Sequence, residues 1–346
     1  MKSNSLAAFL RAVLIVALVA VAFYFLRTAR HGGQNPLIVY CAHDSVYAES
    51  VLREFEKKTG IPVAIRYDTE ATKSLGLVEL LIREKDAPRC DVFWNNELLG
   101  IMDLKEKGVL QPYKGEGYNR IPAAFKDPDG HWTGFAARLR VFIVNTDKMQ
   151  PTEQAVRARL EGNDLSRVAI AKPLFGTTLT HYSVLWQLMG GENLKQWHFG
   201  TRQRNIREVG GNAQTMKLVA DGVCDLGFTD TDDYFVAKDE GKPVAMVPVT
   251  LEDGSTICIP NTVGIVRGTK RQPEAQRLVD FLLSAETELA LARSQARQIP
   301  LGPVDETKLS DDVRQLKRWA DRGYPLTDLG AARAACLQWL KSEYVK

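Results

Sequence analysis

The chain is 346 residues long, 45% hydrophobic and 25% charged, with 45 basic and 42 acidic side chains and a formal charge of +3. Single cores stop growing at roughly 250–300 residues, so the length excludes one small domain and fits two α/β lobes. The near-balanced charge is spread along the chain, which excludes a nucleic-acid footprint with Lys and Arg clustered on one element.

Residues 12–26 (AVLIVALVAVAFYFL) form an uninterrupted apolar run, preceded by Lys2 and Arg11 and followed by Arg27 and Arg30. The run reads either as a secretory signal cleaved after Ala20-Val21-Ala22 or as a short membrane anchor. Either places the rest of the chain in the periplasm or outside the cell, so 1–34 is expected to be signal or anchor plus linker.

From Leu37 the pattern alternates strand and helix. Residues 37–41 are an apolar strand; Asp44 or Ser45 caps a helix with Val51, Leu52 and Phe55 on one face and Gly60 at its stop. Residues 61–67 alternate as a strand, 72–81 read as a helix and 91–94 as the next strand, a βαβαβ start with parallel connections. Asp129-Gly130 and Asp253-Gly254 suit type I′ turns, and each leads into an extended run, 140–145 and 262–266. Between those runs lies a second series: strand 168–171, a helix after Gly176, a strand near Val209, helix 214–220 and strand 225–229. Helices at 273–283, 287–296 and 331–344 complete the chain. It is expected to leave lobe one (35–139 and 265–346), build an inserted lobe two (140–264) and return, with a ligand cleft between the lobes.

The five cysteines, Cys41, Cys90, Cys224, Cys258 and Cys336, show no CxxC and no metal-ligand spacing. Cys41 and Cys90 flank strand ends, where a disulfide between them and two separate core thiols both fit. There is no G-x-S-x-G, Walker loop, H-E-x-x-H or strand-linked G-x-G-x-x-G, and the five histidines are scattered, so no catalytic function is assigned.

Polar residues gather instead at the C-terminal ends of the strands, where open α/β sheets bind ligands. His43, Asp44 and Ser45 follow the first strand, Asn95, Asn96 and Glu97 the third, and Asp230-Thr231-Asp232-Asp233-Tyr234 the strand at 225–229. The same residue types serve as helix N-caps, so each loop alone has a plain structural explanation; together they point to a site. Gly176-Thr177-Thr178 at a helix start offers N–H groups and hydroxyls to an anion, and Arg138 and Arg140 can add charge-assisted hydrogen bonds. Asp230, Asp232 and Asp233 repel one another unless a hard metal ion, a ligand ammonium or those arginines lie among them. Their spacing is not that of an EF-hand.

The stretches VYCAHDSVYAESVLREFEKKTGIPVAIRYD, RCDVFWNNE, GFAARLRVFIVNTDKM, AKPLFGTTLTH, TDTDDYF and PNTVGIVRG resemble, in order, the extracellular solute-binding proteins of ABC importers. They are most similar to the branch of periplasmic ferric-iron-binding proteins. The resemblance implies an α/β, type II periplasmic-binding-protein fold, two lobes joined by two hinge strands. It implies a monomer that captures Fe(III) with a synergistic anion, or a small anionic or zwitterionic solute, for a permease in the inner membrane. An anchored ligand-sensing ectodomain of a signalling system is the alternative role. In the ferric branch His43 and Glu97 correspond to metal ligands and Gly176, Thr177 and Thr178 to the anion position. The adjacent tyrosines of that branch are replaced here by Thr231, Asp232 and Asp233, with Tyr234 beside them, which makes Asp232 the third candidate metal ligand. The expected site is therefore His43, Asp44, Asn96, Glu97, Arg138, Arg140, Gly176, Thr177, Thr178, Asp230, Asp232, Asp233 and Tyr234.

Overall fold

A computed structural model describes residues 35–68 and 75–345. The apolar run at 12–26 and the start of the helix expected at 72–81 lie outside the described residues. Among the described residues no helix is long and apolar enough to cross a membrane.

The first half opens with β1 (Leu37–Cys41), α1 (Ser45–Thr59), β2 (Val63–Tyr67), α2 (Leu75–Arg83), β3 (Val92–Asn95), α3 (Leu99–Glu106), β4 (Leu110–Gln111) and α4 (Glu116–Arg120). α1 ends where its sequence dictates: Gly60 takes φ 72°, which glycine adopts without a Cβ clash, and its N–H closes on the Glu56 carbonyl. The long β5 (Thr133–Asn145) follows, then α5 (Glu153–Glu161), β6 (Val168–Ala171), α6 (Gly176–Met189), α7 (Gly191–Gln203), β7 (Arg207–Val209) and α8 (Asn212–Ala220). The second series closes with β8 (Leu226–Asp230), α9 (Thr231–Asp239) and β9 (Val244–Pro248). The chain returns through β10 (Cys258–Val266) to α10 (Gln272–Leu282), α11 (Ala285–Arg293), α12 (Asp311–Ala320) and α13 (Gly330–Tyr344).

The strands run in the order β2-β1-β3-β10-β5-β8-β6-β7, with β4 added to β10 and β9 to β5. At about 3.3 Å per residue β5 is about 40 Å long, enough to serve both halves. Thr133 to Leu139 pair with β10, whereas Arg140 to Val144 pair with β8. Each half carries a core on both sheet faces. In the first, Val39 and Val92 pack with Leu52 and Leu278, and Tyr40 and Phe93 with Val78 and Leu104. In the second, Val168 and Phe228 pack with Leu179, and Val141 and Ala169 with Val219 and Phe235. Two α/β halves with helices on both faces, hinged on β5 and the β9 to β10 return, result.

Two expectations change in detail, and one open alternative is decided. At Asp129-Gly130 and Asp253-Gly254 the chain turns, but only the glycines have positive φ, 88° and 79°. Type I′ needs positive φ at both central residues; here the turns close one step earlier, by Gly130 N–H to the Asp127 carbonyl and Gly254 N–H to the Leu251 carbonyl. Cys41 and Cys90 form no disulfide; both are buried thiols. Cys41 lies opposite Trp94, while the Cys90 thiol sits 3.8 Å from the Ile38 carbonyl, three residues back along β1. Finally, α13 falls in the stretch expected in lobe one, yet its Cys336, Leu337 and Leu340 join the second-half core with Leu179 and Tyr182. Its polar side reaches the first half through Arg333 to Asp103 at 3.6 Å and Lys341 to Glu79 at 3.0 Å.

Candidate functional site

Side chains two apart on a strand share a face. β5 therefore aims Arg138 and Arg140 the same way, at the point where it passes from one half to the other. Both are buried, Arg140 completely. Beside them the two halves leave a cavity of about 230 Å³, lined by Asp44, Ser45 and Tyr47 of the first half and by Lys172, Gly176 to Thr178, Gly210 to Ala213, Asp230, Asp232 and Asp233 of the second. Asn96 and Arg138 complete the wall.

Four helices point their N-terminal ends into this cleft, α1, α6, α8 and α9, as expected where strands give way to helices. They are not equivalent. The first turn of α9 carries Asp232 and Asp233, and α1 begins after Asp44, so their positive ends already face carboxyls. α6 and α8 carry no acid in their first turns and no side chain caps either. Gly176 opens α6 at φ 50°, in the left-handed region where a Cβ is strained, with open space where that Cβ would stand. The cleft thus has a positive end, at α6, α8 and Lys172, and a carboxyl end, at Asp44, Asp232 and Asp233.

The floor between these ends is a buried ion pair. Asp230 accepts from Arg140 Nη1 at 2.7 Å, from the Thr177 hydroxyl at 2.5 Å and from Asn212 Nδ2 at 2.9 Å. Thr178 donates its hydroxyl to Asn212 Oδ1 at 3.1 Å, tying α6 to α8. Arg138 Nη1 stands 3.6 Å from Asp232 Oδ2. Burial acts to lower the pKa of Arg138, but Asp232, Asp230, Asp44 and Asp233 outweigh it, so the guanidinium holds its proton more tightly than usual. Asp233 shows the opposite balance for an acid: burial, then the neighbouring Asp232 and Asp230, push its carboxyl well above the ordinary 3.8. Burial, then Asp232, Asp44 and Asp233, push the Tyr47 phenol up. Asp230, Asp232 and Asp233 can bring one oxygen each within 4.8 Å of one another, close enough for a cation.

Of the residues expected from sequence, Asp44, Asn96, Arg138, Gly176, Thr177, Thr178, Asp230, Asp232 and Asp233 line the cleft together. Four do not. Arg140 lies beneath it, paired with Asp230. Glu97 spends both oxygens on the start of α3, accepting from Leu99 N at 2.5 Å, Gly100 N at 2.7 Å and Asn95 Nδ2 at 2.8 Å. It is a helix cap facing away from the cavity, as its residue type at a strand end also allows. Tyr234 turns into the second-half core against Phe235. His43 sits behind Arg138, stacked 5.4 Å from Trp94, with Nδ1 3.3 Å from Arg138 Nη2 and Nε2 3.1 Å from Gln298 Nε2. Tyr47, Lys172 and Asn212 line the cleft without having been singled out as ligand residues. The Gly210-Gly211 pair before α8 was the sequence signal for Asn212; for Tyr47, one turn into an amphipathic helix, there was none.

Residues 37–294 match the family described as bacterial extracellular solute-binding protein. Iron uptake protein A1 of Synechocystis sp. is 24% identical over 278 residues, 76% of this chain and 75% of that protein. Iron-bound HitA from Pseudomonas aeruginosa superposes with a TM-score of 0.78 at 21% identity, over 89% of this chain and 99% of that one. The periplasmic binding protein AfuA from Actinobacillus pleuropneumoniae, with exogenous fructose-6-phosphate bound, superposes at 0.68 and 21% identity, over 84% and 99%. At these identities the structural likeness shows the fold, the type II periplasmic-binding-protein architecture.

Proposed function

Because the chain belongs to the bacterial extracellular solute-binding proteins, we propose that it is the capturing component of an ABC importer, a monomer that closes its two halves over one small solute and delivers it to a permease. The cleft catalyses nothing in this reading: its groups bind and orient. The run at 12–26 serves as cleaved signal or anchor and holds the binding halves outside the cytoplasm.

The division of the cleft into a positive end and a carboxyl end carries the ligand class. An anionic group, a phosphate above all, suits the uncapped starts of α6 and α8 with Lys172 beside them. Hydroxyls or an ammonium on the same molecule suit Asp44, Asp232 and Asp233 opposite. A small organic phosphate with neighbouring hydroxyls, the class of fructose-6-phosphate, meets both demands. A second reading, Fe(III) with an anion, is favoured by the convergence of Asp230, Asp232 and Asp233 and by relatives named for iron uptake or solved with iron.

A thermal-shift panel on the full chain tests these readings with hexose phosphates, phosphonates and Fe(III) with citrate or phosphate. A ligand at a hundredfold excess over Kd stabilises by about 2.7 kcal/mol. Hexose phosphate is expected to raise the melting temperature of the native protein and not of Asp232→Ala. A shift that survives Asp232→Ala removes this cleft as the site; a shift with Fe(III) and anion alone replaces the first reading by the second.

A further inference from the structure

Behind the cleft a closed ring of side chains joins the ligand-facing arginine to the hinge. Arg138 Nη2 donates to Asn261 Oδ1 at 3.1 Å and approaches His43 Nδ1 at 3.3 Å. Asn261 Nδ2 donates to Gln298 Oε1 at 3.0 Å and to the Ala136 carbonyl. Gln298 Nε2 approaches His43 Nε2 at 3.1 Å and closes the ring. None of the four side chains is more than 2% exposed.

The polarity of the ring is fixed at Asn261. Only its NH2 can serve the Ala136 carbonyl, so its oxygen faces Arg138, and the same NH2 orients Gln298 to present its own NH2 to His43. Both ring nitrogens of His43 therefore meet donors. A neutral imidazole can accept from one of them at a time, and neither nitrogen is left for the cavity.

The ring ends at a bulge in the β10-paired part of β5. Pairing with β10 shifts register between Ile259 and Asn261. Ala136 takes φ 43° there, a left-handed conformation that strains an L-residue. Glu288, wholly buried, accepts from Ala136 N at 2.9 Å and Leu301 N at 2.7 Å, while Asn261 binds the Ala136 carbonyl. The strained residue is held from both sides, two positions before Arg138. Arg138 Nε, buried without a partner among the described residues, remains an unspent donor on a side chain that lines the cleft.

We propose that His43, Asn261 and Gln298 are positioning residues for ligand capture: they lock the Arg138 guanidinium to the hinge bulge and fix the edge that it presents to the cleft. The proposal rests on the reading that the ligand occupies the cleft. It separates His43 from a metal-ligand role, because His43 then acts through Arg138.

The test uses the full chain with His43→Leu, His43→Asn and Gln298→Leu, and calorimetric titration with fructose-6-phosphate and with ferric citrate as probes. For whichever probe binds the native protein, His43→Leu and Gln298→Leu are expected to weaken binding roughly tenfold to a hundredfold, the usual loss when the partner that orients a binding group is removed. His43→Asn, whose amide oxygen can accept from Arg138 as Nδ1 does, is expected to keep the native affinity. His43→Asn as weak as His43→Leu overturns the proposal, since the imidazole itself would then be the ligand group. Unchanged binding in His43→Leu overturns it equally. If neither probe binds the native protein, hydrogen exchange at the Arg138 Nη2 hydrogens, which Asn261 and His43 hold, reads the ring without any ligand. Protection is expected in the native protein and His43→Asn and is lost in both leucine variants; protection that persists in His43→Leu and Gln298→Leu refutes the positioning role. Circular dichroism identifies a variant that does not fold, and Gln298→Leu and His43→Leu test the ring independently of each other.

Discussion

Replacing Asp230 by alanine removes the counter-charge from the floor of the cleft, and the structure sets the size of the effect. Arg140 is fully buried, and its Nε and Nη2 have no hydrogen-bond partner among the described residues. Its charge is met by Asp230 at 2.7 Å, while Thr177 Oγ1 and Asn212 Oδ1 lie further off, each at 3.3 Å. Asp230→Ala leaves a buried guanidinium with two long neutral contacts, and breaking a buried pair this way costs about 3–5 kcal/mol. An exposed pair such as Lys195 with Glu192 is worth about 0–1 kcal/mol at most. Urea unfolding followed by tryptophan fluorescence should show the midpoint of Asp230→Ala falling sharply at unchanged slope. Replacing both partners by apolar residues, Arg140→Met with Asp230→Leu, should recover much of the loss, because no charge is then stranded. A cost for Asp230→Ala no larger than that of a surface pair would refute the placement of Arg140 and Asp230 as mutual counter-ions.

Three further outcomes follow from single groups. The Asp233 carboxyl is raised by burial and by Asp232 and Asp230, so the fold keeps a proton that the unfolded chain gives up above 3.8; stability falls as pH rises from there toward the folded value. Asp233→Asn should flatten that fall and unfold at higher urea at neutral pH. His181 has the opposite slope: burial, then Arg140, pushes it down from 6.5 to about 3, so it is neutral in the fold, and the stability present above 6.5 is lost as pH falls toward 3. His181→Phe should reduce acid sensitivity in that window, measured by unfolding midpoint against pH. Glu97→Ala strips the start of α3 of its cap and should cost about 0.5–2 kcal/mol while leaving ligand affinity intact; lost affinity without lost stability would instead place Glu97 in the site.

The sequence made local features legible and left opaque whatever depends on partners far along the chain. Short apolar runs marked β1 and β3, Gly60 marked the end of α1, and the spacing of Arg138 and Arg140 put both on one face of β5. Strand-end loops marked Asp44, Gly176, Thr177 and Asp232, because sheet topology brings such ends together whatever the side chains are. The roles of His43 and Glu97 were not readable. One is decided by Gln298, which is 255 positions away, and the other by whether a carboxylate turns toward its own helix or the cavity. The docking of α13 on α6 was hidden for the same reason: Cys336 and Leu340 look like any amphipathic pair until α6 is beside them.

The adjacent acids Asp232 and Asp233 bear most directly on the ligand. Asp232 lies near Arg138, while burial, then Asp232 and Asp230, push Asp233 toward its protonated form. A protonated Asp233 presents a donor beside the oxygens of its neighbours, which suits neighbouring hydroxyls. A trivalent cation needs both as carboxylates, so its capture must expel the Asp233 proton and draw Asp232 away from Arg138. The two readings therefore separate by pH. Affinity for Fe(III) with its anion should climb as pH rises toward the Asp233 value and level off above it, with a proton released on binding; affinity for a hydroxyl-bearing phosphate should hold or fall over the same range. Titration calorimetry in buffers of different ionisation enthalpy counts that proton. Proton release on binding of the organic phosphate would contradict the assignment of Asp233 as its donor.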